Sequence, residues 1–519
     1  MPITIRSKDV DINARVVWPN LAWVRWVRGV RYFTVRRFGL TVQHFIATAA
    51  ITLVVVGMAA CTPAEKSAKV LVFGVDGGTW DVMVPMIEAG ELPNIGKLYN
   101  SGLRGVLVSR PPAISPVVWS TIFTGRPHSE HGINSWKTSQ STHRKVKALW
   151  EIASDLDLVS KVVNVPSTWP AEEIAGEMLS GFPLSGTTLG GNTGHVVTVD
   201  TIGARENAPG IRMNIELLRK EFEKLEENAW SGWIDLALKN QPKLRATVRV
   251  KRLDSGKFYI TPVYRTDDGV VISYPQELRA AIQNNLDGPY IPEGPGWSKY
   301  AEDDTPKYLY EHLLQVADLQ TDGVMEIIRS PWDLFIYVNT LVDRVSHPYW
   351  AYSRPGDFVG MDLDKAKLYG SAVADAYRET DRQLGEVLAG IDGEHYTVIV
   401  SDHGFKSAAN NKLLVGAHHF DGVYLVSGPG LIGEDGPRAN IEDIAPTLLY
   451  LLGKPVADDM AGRVIAPLAG VLGRAVESVE TYESGGKEGS EFPVDEKTWE
   501  QLRGLGYVDG PAPKGAKKK

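Results

Sequence analysis

Unbroken apolar runs of strand length recur along the chain. Val70–Val75 (VLVFGV), Val159–Val165, Trp332–Asn339, Tyr396–Ser401 and Gly422–Ser427 each read as a strand, and Val106–Ser109 is a shorter candidate. A strand apolar on both faces belongs in a parallel sheet covered on both sides. Between these runs the spacing turns helical: Leu92–Tyr99 (ended by Asn100-Ser101-Gly102), Val117–Phe123, Val146–Leu156, Asp364–Ile391 and Ile441–Leu452. Strands alternating with helices predict an α/β fold, a mostly parallel sheet sandwiched by helices.

The texture changes between residues 185 and 306. Gly and Pro become frequent, and Leu244–Arg252 and Lys257–Arg265 flank Asp254-Ser255-Gly256 like a hairpin, so this stretch reads as an inserted cap subdomain. The catalytic body is then 70–184 joined to 307–508, and the Pro/Gly/Lys-rich 509–519 reads as a disordered tail.

Composition is globular: 519 residues, 43% hydrophobic and 23% charged. The charge is uneven. Residues 1–60 carry eight Lys/Arg against Asp9 and Asp11, which leaves a net of −14 for the rest of a chain whose total is −8. A body that acidic has no basic face for a polyanion, so nucleic-acid binding is not expected.

The chain's one cysteine excludes an internal disulfide, and its position is informative. Phe45–Ala60 (FIATAAITLVVVGMAA) is free of charge, follows the basic pair Arg36-Arg37, and is short for a membrane span but right for a signal-peptide core. Met58-Ala59-Ala60-Cys61 resembles a bacterial lipoprotein cleavage site, in which Cys61 becomes lipidated. Residues 1–61 are therefore read as a signal segment, and the body as exported, facing the periplasm or cell exterior, with a lipid anchor as its membrane partner.

Carboxylates and imidazoles gather just past the strands. Asp76 follows the first; Asp343 and His347 lie after 332–339; Asp402 and His403 follow 396–401; His418 precedes Gly422. In open α/β sheets ligands bind beyond the carboxyl ends of the strands. Three Asp and three His suit two divalent cations with N/O coordination, most simply zinc, with manganese or iron also compatible. Any one Asp here reads equally well as a turn or cap, and any one His as a packing residue. Ser115 precedes Pro116 at the start of a helix, where it can serve as N-cap. The same place, at the positive end of a helix dipole, suits a nucleophile activated by a metal.

The ordered set VLVFGVDGG, LPNIGKL, PPAISPVVW, TGRPHSEHGI, DRVSH, SDHGF, HHFDGVYLVSGPG and DIAPTLLYLLGKPVADDMAGRVI, with a terminal LRGLGYV, resembles the alkaline phosphatase superfamily in its type I phosphodiesterase/nucleotide pyrophosphatase branch. The resemblance implies an alkaline-phosphatase-like catalytic domain. It implies one metal on Asp343, His347 and His418, and a second on Asp76, Asp402, His403 and the nucleophile Ser115. His418 is chosen over His419, and Ser115 over Ser120 and Thr121, from the motif spacing. The implied activity is phosphodiester hydrolysis through a phosphoserine.

The match has departures. The pyrophosphatases usually carry Thr as nucleophile and an Asn three residues beyond HGI; here those positions hold Ser115 and Trp136, with Asn134 the nearest candidate for a phosphoryl-oxygen ligand. Sulfatases of the superfamily have Pro and Arg two and four residues past the nucleophile, where this chain has Val117 and Trp119. Phosphomonoesterase and phosphoryl-group transferase readings stay open, as does a catalytically silent binding lipoprotein. The substrate expected is a small-molecule or lipid/glycan phosphate ester.

Overall fold

A computed structural model describes residues 3–7, 10–14, 68–181, 188–189, 194–198, 224–237, 245–253, 256–266, 271–292, 305–410 and 413–484. Cys61 and the segment around it, the LRGLGYV motif and the tail lie outside the described residues. The only described part of the first 66 residues is a separate antiparallel pair, Ile3–Ser7 with Val10–Ala14.

In the main unit the strands are β1 (Lys69–Val75), β2 (Leu103–Val108), β3 (Ser160–Val163), β4 (Gly176–Leu179), β5 (Ser273–Tyr274), β6 (Leu334–Asn339), β7 (His395–Val400), β8 (Gly404–Asn410), β9 (Leu413–His419) and β10 (Asp421–Ser427). The helices used below are α1 (Trp80–Glu88), α2 (Pro93–Ser101), α3 (Ser115–Thr124), α4 (Leu149–Asp155), α5 (Thr305–Ile327), α6 (Leu341–Ser353), α7 (Ala372–Ala389) and α8 (Ile444–Leu451). Ten strands form one sheet in the order β5-β4-β3-β6-β1-β7-β10-β2, with Glu434–Asp435 and Ala439–Asn440 both beside β2. The five central strands, β4 to β7, are mutually parallel; antiparallel strands flank them. The α/β architecture with a mostly parallel sheet is thus observed.

The continuous apolar runs follow from this placement. Val70, Val72, Ile336, Val338, Val398 and Val400 face one layer, where Trp119, Phe123, Trp150 and Leu448 of α3, α4 and α8 cover them. Leu71, Phe73, Phe335, Tyr337 and Ile399 face the other, against Met83, Ile95, Leu313, Val345 and Tyr377. Each such side chain removed from water contributes about 1.5–3 kcal/mol, so both faces exclude polar residues.

Several boundaries shift. The helical pattern 364–391 breaks at Gly370 into Leu363–Tyr369 and α7. The helix expected at 146–156 is shorter, Leu149–Asp155. The pairing expected across 254–256 is present, but its arms divide between two small sheets: Val250–Arg252 pairs with Lys257–Ile260, and Arg245–Val248 with Val263–Arg265. Ser273–Tyr274, also from the stretch read as a cap, is the edge strand of the main sheet. Among the described residues no helix is long and apolar enough to cross a membrane.

Helix α2 starts at Pro93 and has no cap of its own. Asp381 of α7 caps it from across the layer, accepting from Ile95 N at 2.7 Å and Asn94 N at 3.2 Å. Asp381→Ala leaves these donors buried without a partner and is expected to cost about 2 kcal/mol. Urea unfolding measures it; a midpoint equal to wild type would show that α2 does not depend on this cap.

Candidate active site

Three neighbouring strands deliver the cluster. β1 pairs in parallel with β7 from Lys69–His395 to Gly74–Val400, and continuing that register two residues sets Asp76 beside Asp402. On its other side β1 pairs with β6 up to Val75–Asn339, and Asp76 N donates to Asn339 O at 3.0 Å. The chain leaving β6 turns at once into α6, capped by Asn339 Oδ1, which accepts from Leu341 N at 3.0 Å. Asp343 sits in the first turn of α6 and His347 four residues on, hence on the same helix face. The helical spacing of these two in the sequence is the signal that α6 exists; the sequence reading above placed them only past a strand.

His418 arrives differently. It lies on β9, which with β8 forms an antiparallel ribbon placing Phe405 opposite His418. The ribbon was not anticipated from the sequence. Gly416 lets it close on α6: a Cβ there would lie 2.6 Å from Ser346 O.

Distances within the cluster are short. His347 Nε2 and His418 Nε2 lie 3.3 and 3.4 Å from Asp343 Oδ1. His403 Nε2 lies 3.5 Å from Asp76 Oδ1, 3.4 Å from Asp402 Oδ2 and 3.8 Å from Asp343 Oδ1. Two sets could each hold a metal ion, Asp343–His347–His418 and Asp76–Asp343–His403. The first matches the grouping implied by the motifs; in the second Asp343 stands where Asp402 was expected, while Asp402 keeps its contact with His403.

The imidazole tautomers are set by backbone carbonyls. His403, His347 and His418 each place Nδ1 on one, at Gly404 (3.2 Å), Gly416 (3.3 Å) and Ala113 (2.7 Å). An Nδ1–H that donates to a carbonyl leaves the Nε2 lone pair facing inward. Nε2 atoms turned toward carboxylate oxygens and toward one another need a proton or a metal cation between them, and His418 Nε2 lies 3.1 Å from His347 Nε2. Asp402 Oδ2 and His403 Nε2 are buried and make no hydrogen bond. The donor set therefore fits divalent metal ions.

The carboxylates differ in electrostatics. Burial, then the charges of Asp402 and Asp343, hold Asp76 well above the usual carboxylate range. Burial and Asp343 push Asp402 up to about 7, against the Gly77 N–H and the Ser115 hydroxyl. Burial acts the same way on Asp343, but His347 and His418 outweigh it and hold this carboxyl well below its ordinary value. Burial lowers His403; His418, also penalised by burial, is raised by Asp343.

Ser115 is not the N-cap that its place before Pro116 also allowed. Ile114 is the N-cap and Ser115 the first residue of α3, so its hydroxyl caps nothing. It donates instead to Asp76 Oδ1 at 3.4 Å. Ser120 and Thr121 donate back to Pro116 O and Val117 O within the helix. His419 stays outside the cluster, accepting from Asp421 N. Asn134 is exposed, its carbonyl accepting from Thr138 Oγ1 at 3.1 Å.

Other residues are structural in this setting. Trp136 is buried, and so is His131, which accepts from Ile133 N at Nδ1 and therefore donates from Nε2 to Thr121 Oγ1 at 3.0 Å. Burial depresses His131 to about 3, so it stays neutral. Gly77 has φ +74°, and a Cβ there would lie 2.5 Å from Phe405 Cε2 and 3.1 Å from Asp343 Cα, so glycine is what allows α6 and the ribbon to approach β1.

A family model for type I phosphodiesterase/nucleotide pyrophosphatase matches residues 70–447. A comparison with curated proteins returned no match. Among solved structures, the chain is similar to murine ectonucleotide pyrophosphatase/phosphodiesterase 5 (9% identity, 74% of this chain and 95% of that one, TM-score 0.39). It is also similar to Ps i-CgsB in complex with k-i-k-neocarrahexaose (14%, 79% and 77%, TM-score 0.40) and to a 2-O GAG sulfatase (11%, 80% and 77%, TM-score 0.38).

The raised Asp402 carboxyl gives a pH signature in the metal-free protein. The folded state keeps this proton up to about pH 7, whereas the unfolded chain loses it near the ordinary aspartate value of 3.8. Stability from this group is present at acidic pH and is lost as pH rises through that window. Chelator-treated wild type should therefore lose stability relative to Asp402→Asn between pH 4 and 7, read by thermal unfolding of the pair. Parallel curves would exclude the raised carboxyl.

Proposed function

The chain belongs to the type I phosphodiesterase/nucleotide pyrophosphatase family, and we propose that it is a metal-dependent phosphodiesterase acting through Ser115. The observation that carries this reading is the convergence of Asp76, Asp343, His347, Asp402, His403 and His418 beside the one hydroxyl of α3 that is not spent on its own helix. Asp343, His347 and His418 would hold one divalent cation, and Asp76, Asp402 and His403 the other next to Ser115, with zinc the simplest match and manganese or iron also suited to these donors. When bound, such cations supply the positive charge that makes a serine hydroxyl nucleophilic near neutral pH and offsets charge on the transferring group.

The chain's own residues do the rest. Ser115 Oγ attacks phosphorus, the ester bond to the leaving group breaks, and a phosphoserine remains for water to hydrolyse, which restores the hydroxyl. The Ser115 proton faces Asp76 Oδ1. The amino terminus of the ten-residue helix α3 lies at the same point, so its dipole favours negative charge there. Three carboxylates demand compensation, which makes metal loading obligatory for an anionic substrate.

A diester is favoured over a monoester. A terminal phosphate carries additional charge and calls for an extra cation; Arg126 is engaged by Glu130 and Asp459, and Arg144 by Glu151 and Glu172, so Arg344, whose charge acts on Asp76, is the group a monoester would have to recruit. The run ending at Cys61 supports export and a lipid anchor, with the substrate a phosphate ester met outside the cytoplasm.

Hydrolysis of a bis-aryl and a mono-aryl phosphate by the metal-loaded protein tests the reading. The diester should turn over faster, and Ser115→Ala and Asp402→Asn should each lose at least about 10²-fold. Preference for the monoester would replace the name and keep the mechanism. Turnover of neither, with two metals bound, would favour a transferase, and failure to bind metal a silent binding protein. Metabolic labelling with palmitate should mark the wild type and spare Cys61→Ala; labelling of both would rule out this anchor.

A further inference from the structure

Asp76 spends its two oxygens on different partners. Oδ1 faces Ser115 Oγ at 3.4 Å and His403 Nε2 at 3.5 Å. Oδ2 accepts from the indole Nε1–H of Trp119 at 3.2 Å. Trp119 has no solvent exposure, so its N–H requires an acceptor, and this carboxylate is the one it has.

The ring is seated from two sides. It stacks on Phe123, one turn along α3, with centroids 5.8 Å apart and planes 16° from parallel. Its far edge lies over Gly74, where a Cβ would come within 2.6 Å of Trp119 Cη2. Glycine inside a central strand gives up packing and costs conformational entropy; here it opens the space through which an indole from the helix layer reaches a carboxylate at the strand end.

Resting on the metal-centre reading above, we propose that Trp119, seated by Gly74, is a positioning residue that fixes Asp76 as a one-oxygen ligand to a divalent cation. With Oδ2 held, the carboxylate cannot swing to offer both oxygens or turn Oδ1 away from Ser115. Partners behind a ligating side chain set its orientation, and losing one typically costs 10–100-fold in metal affinity.

Co2+ binding to the chelator-stripped protein is the test, with visible absorption reading coordination. Trp119→Phe keeps a ring and removes the N–H. It should weaken one of two Co2+ ions about 10- to 100-fold with a changed band, leave the other as in wild type, and lower kcat with little change in KM. Phe123→Leu loosens the packing of the same indole but keeps its N–H beside Asp76, and should weaken the ion less than Trp119→Phe does. Wild-type affinity and spectrum in Trp119→Phe, or an equal loss in Phe123→Leu, overturns the proposal. If Trp119→Phe does not fold by circular dichroism, Gly74→Ala, which displaces the indole, decides by the same readout. A wild type that takes up no Co2+ overturns the functional reading and this one together; two ions bound and an unaffected Trp119→Phe overturn only the positioning role.

Discussion

Carboxylates brought side by side in a dry place repel one another, and the arrangement at the ends of β1, β6 and β7 depends on how that repulsion is contained. The parallel register sets Asp76 next to Asp402, and the first turn of α6 adds Asp343. Imidazole nitrogens close the gaps, and each of them is turned inward by a carbonyl behind it. A proton can compensate part of this charge at His418. Divalent cations would compensate the rest, and the donor geometry fits them.

The surrounding fold is organised to keep that geometry fixed. Gly74 admits Trp119, Gly77 admits α6 and Phe405, and Gly416 brings the ribbon onto Ser346. Asn339 both accepts from the start of α6 and donates to Gln383 of α7 at 2.6 Å. Tyr377 of α7 accepts from Thr79 N at 3.0 Å, so the loop after Asp76 is held from the layer on that side. The helix layers therefore do more than cover apolar strands; they restrain the polar ends.

The central strands could be read directly because burial on both faces writes itself as a run, as in VLVFGV. The convergence of Asp76 and Asp402 also followed from the rule that sites lie at carboxyl ends. What could not be read has physical causes. The ribbon of β8 and β9 lies outside the main sheet and closes on α6 at Gly416, and β8 (GFKSAAN) has no unbroken apolar run, so its strand signal is weak. Helix α6 is marked by two polar residues, Asp343 and His347, at helical spacing, which resemble a loop when counted by hydrophobicity. Ser115 and Pro116 resemble a capped start, yet Ile114 is the N-cap and Ser115, as the first residue of the helix, keeps its hydroxyl out of capping. The hairpin in the inserted stretch is read correctly as a pairing, but Thr261 and Pro262 break one arm and divert it to a second sheet.

The candidate metal residues at 76, 343, 402 and 418 come from separate stretches of the chain, and β1, in the middle of the sheet, is made long before both of its neighbours. During synthesis, Asp76 emerges more than two hundred residues ahead of α6 and the β7 turn. Long-range pairings of this kind form late and slowly. A nascent chain thus holds isolated carboxylates with ordinary affinity for any cation, and a tight site arises only once the ribbon bearing His418 has closed. On the proposed metal-centre reading, capture of the ion would then be a late act of folding, and a truncated or misassembled chain would compete for it only weakly.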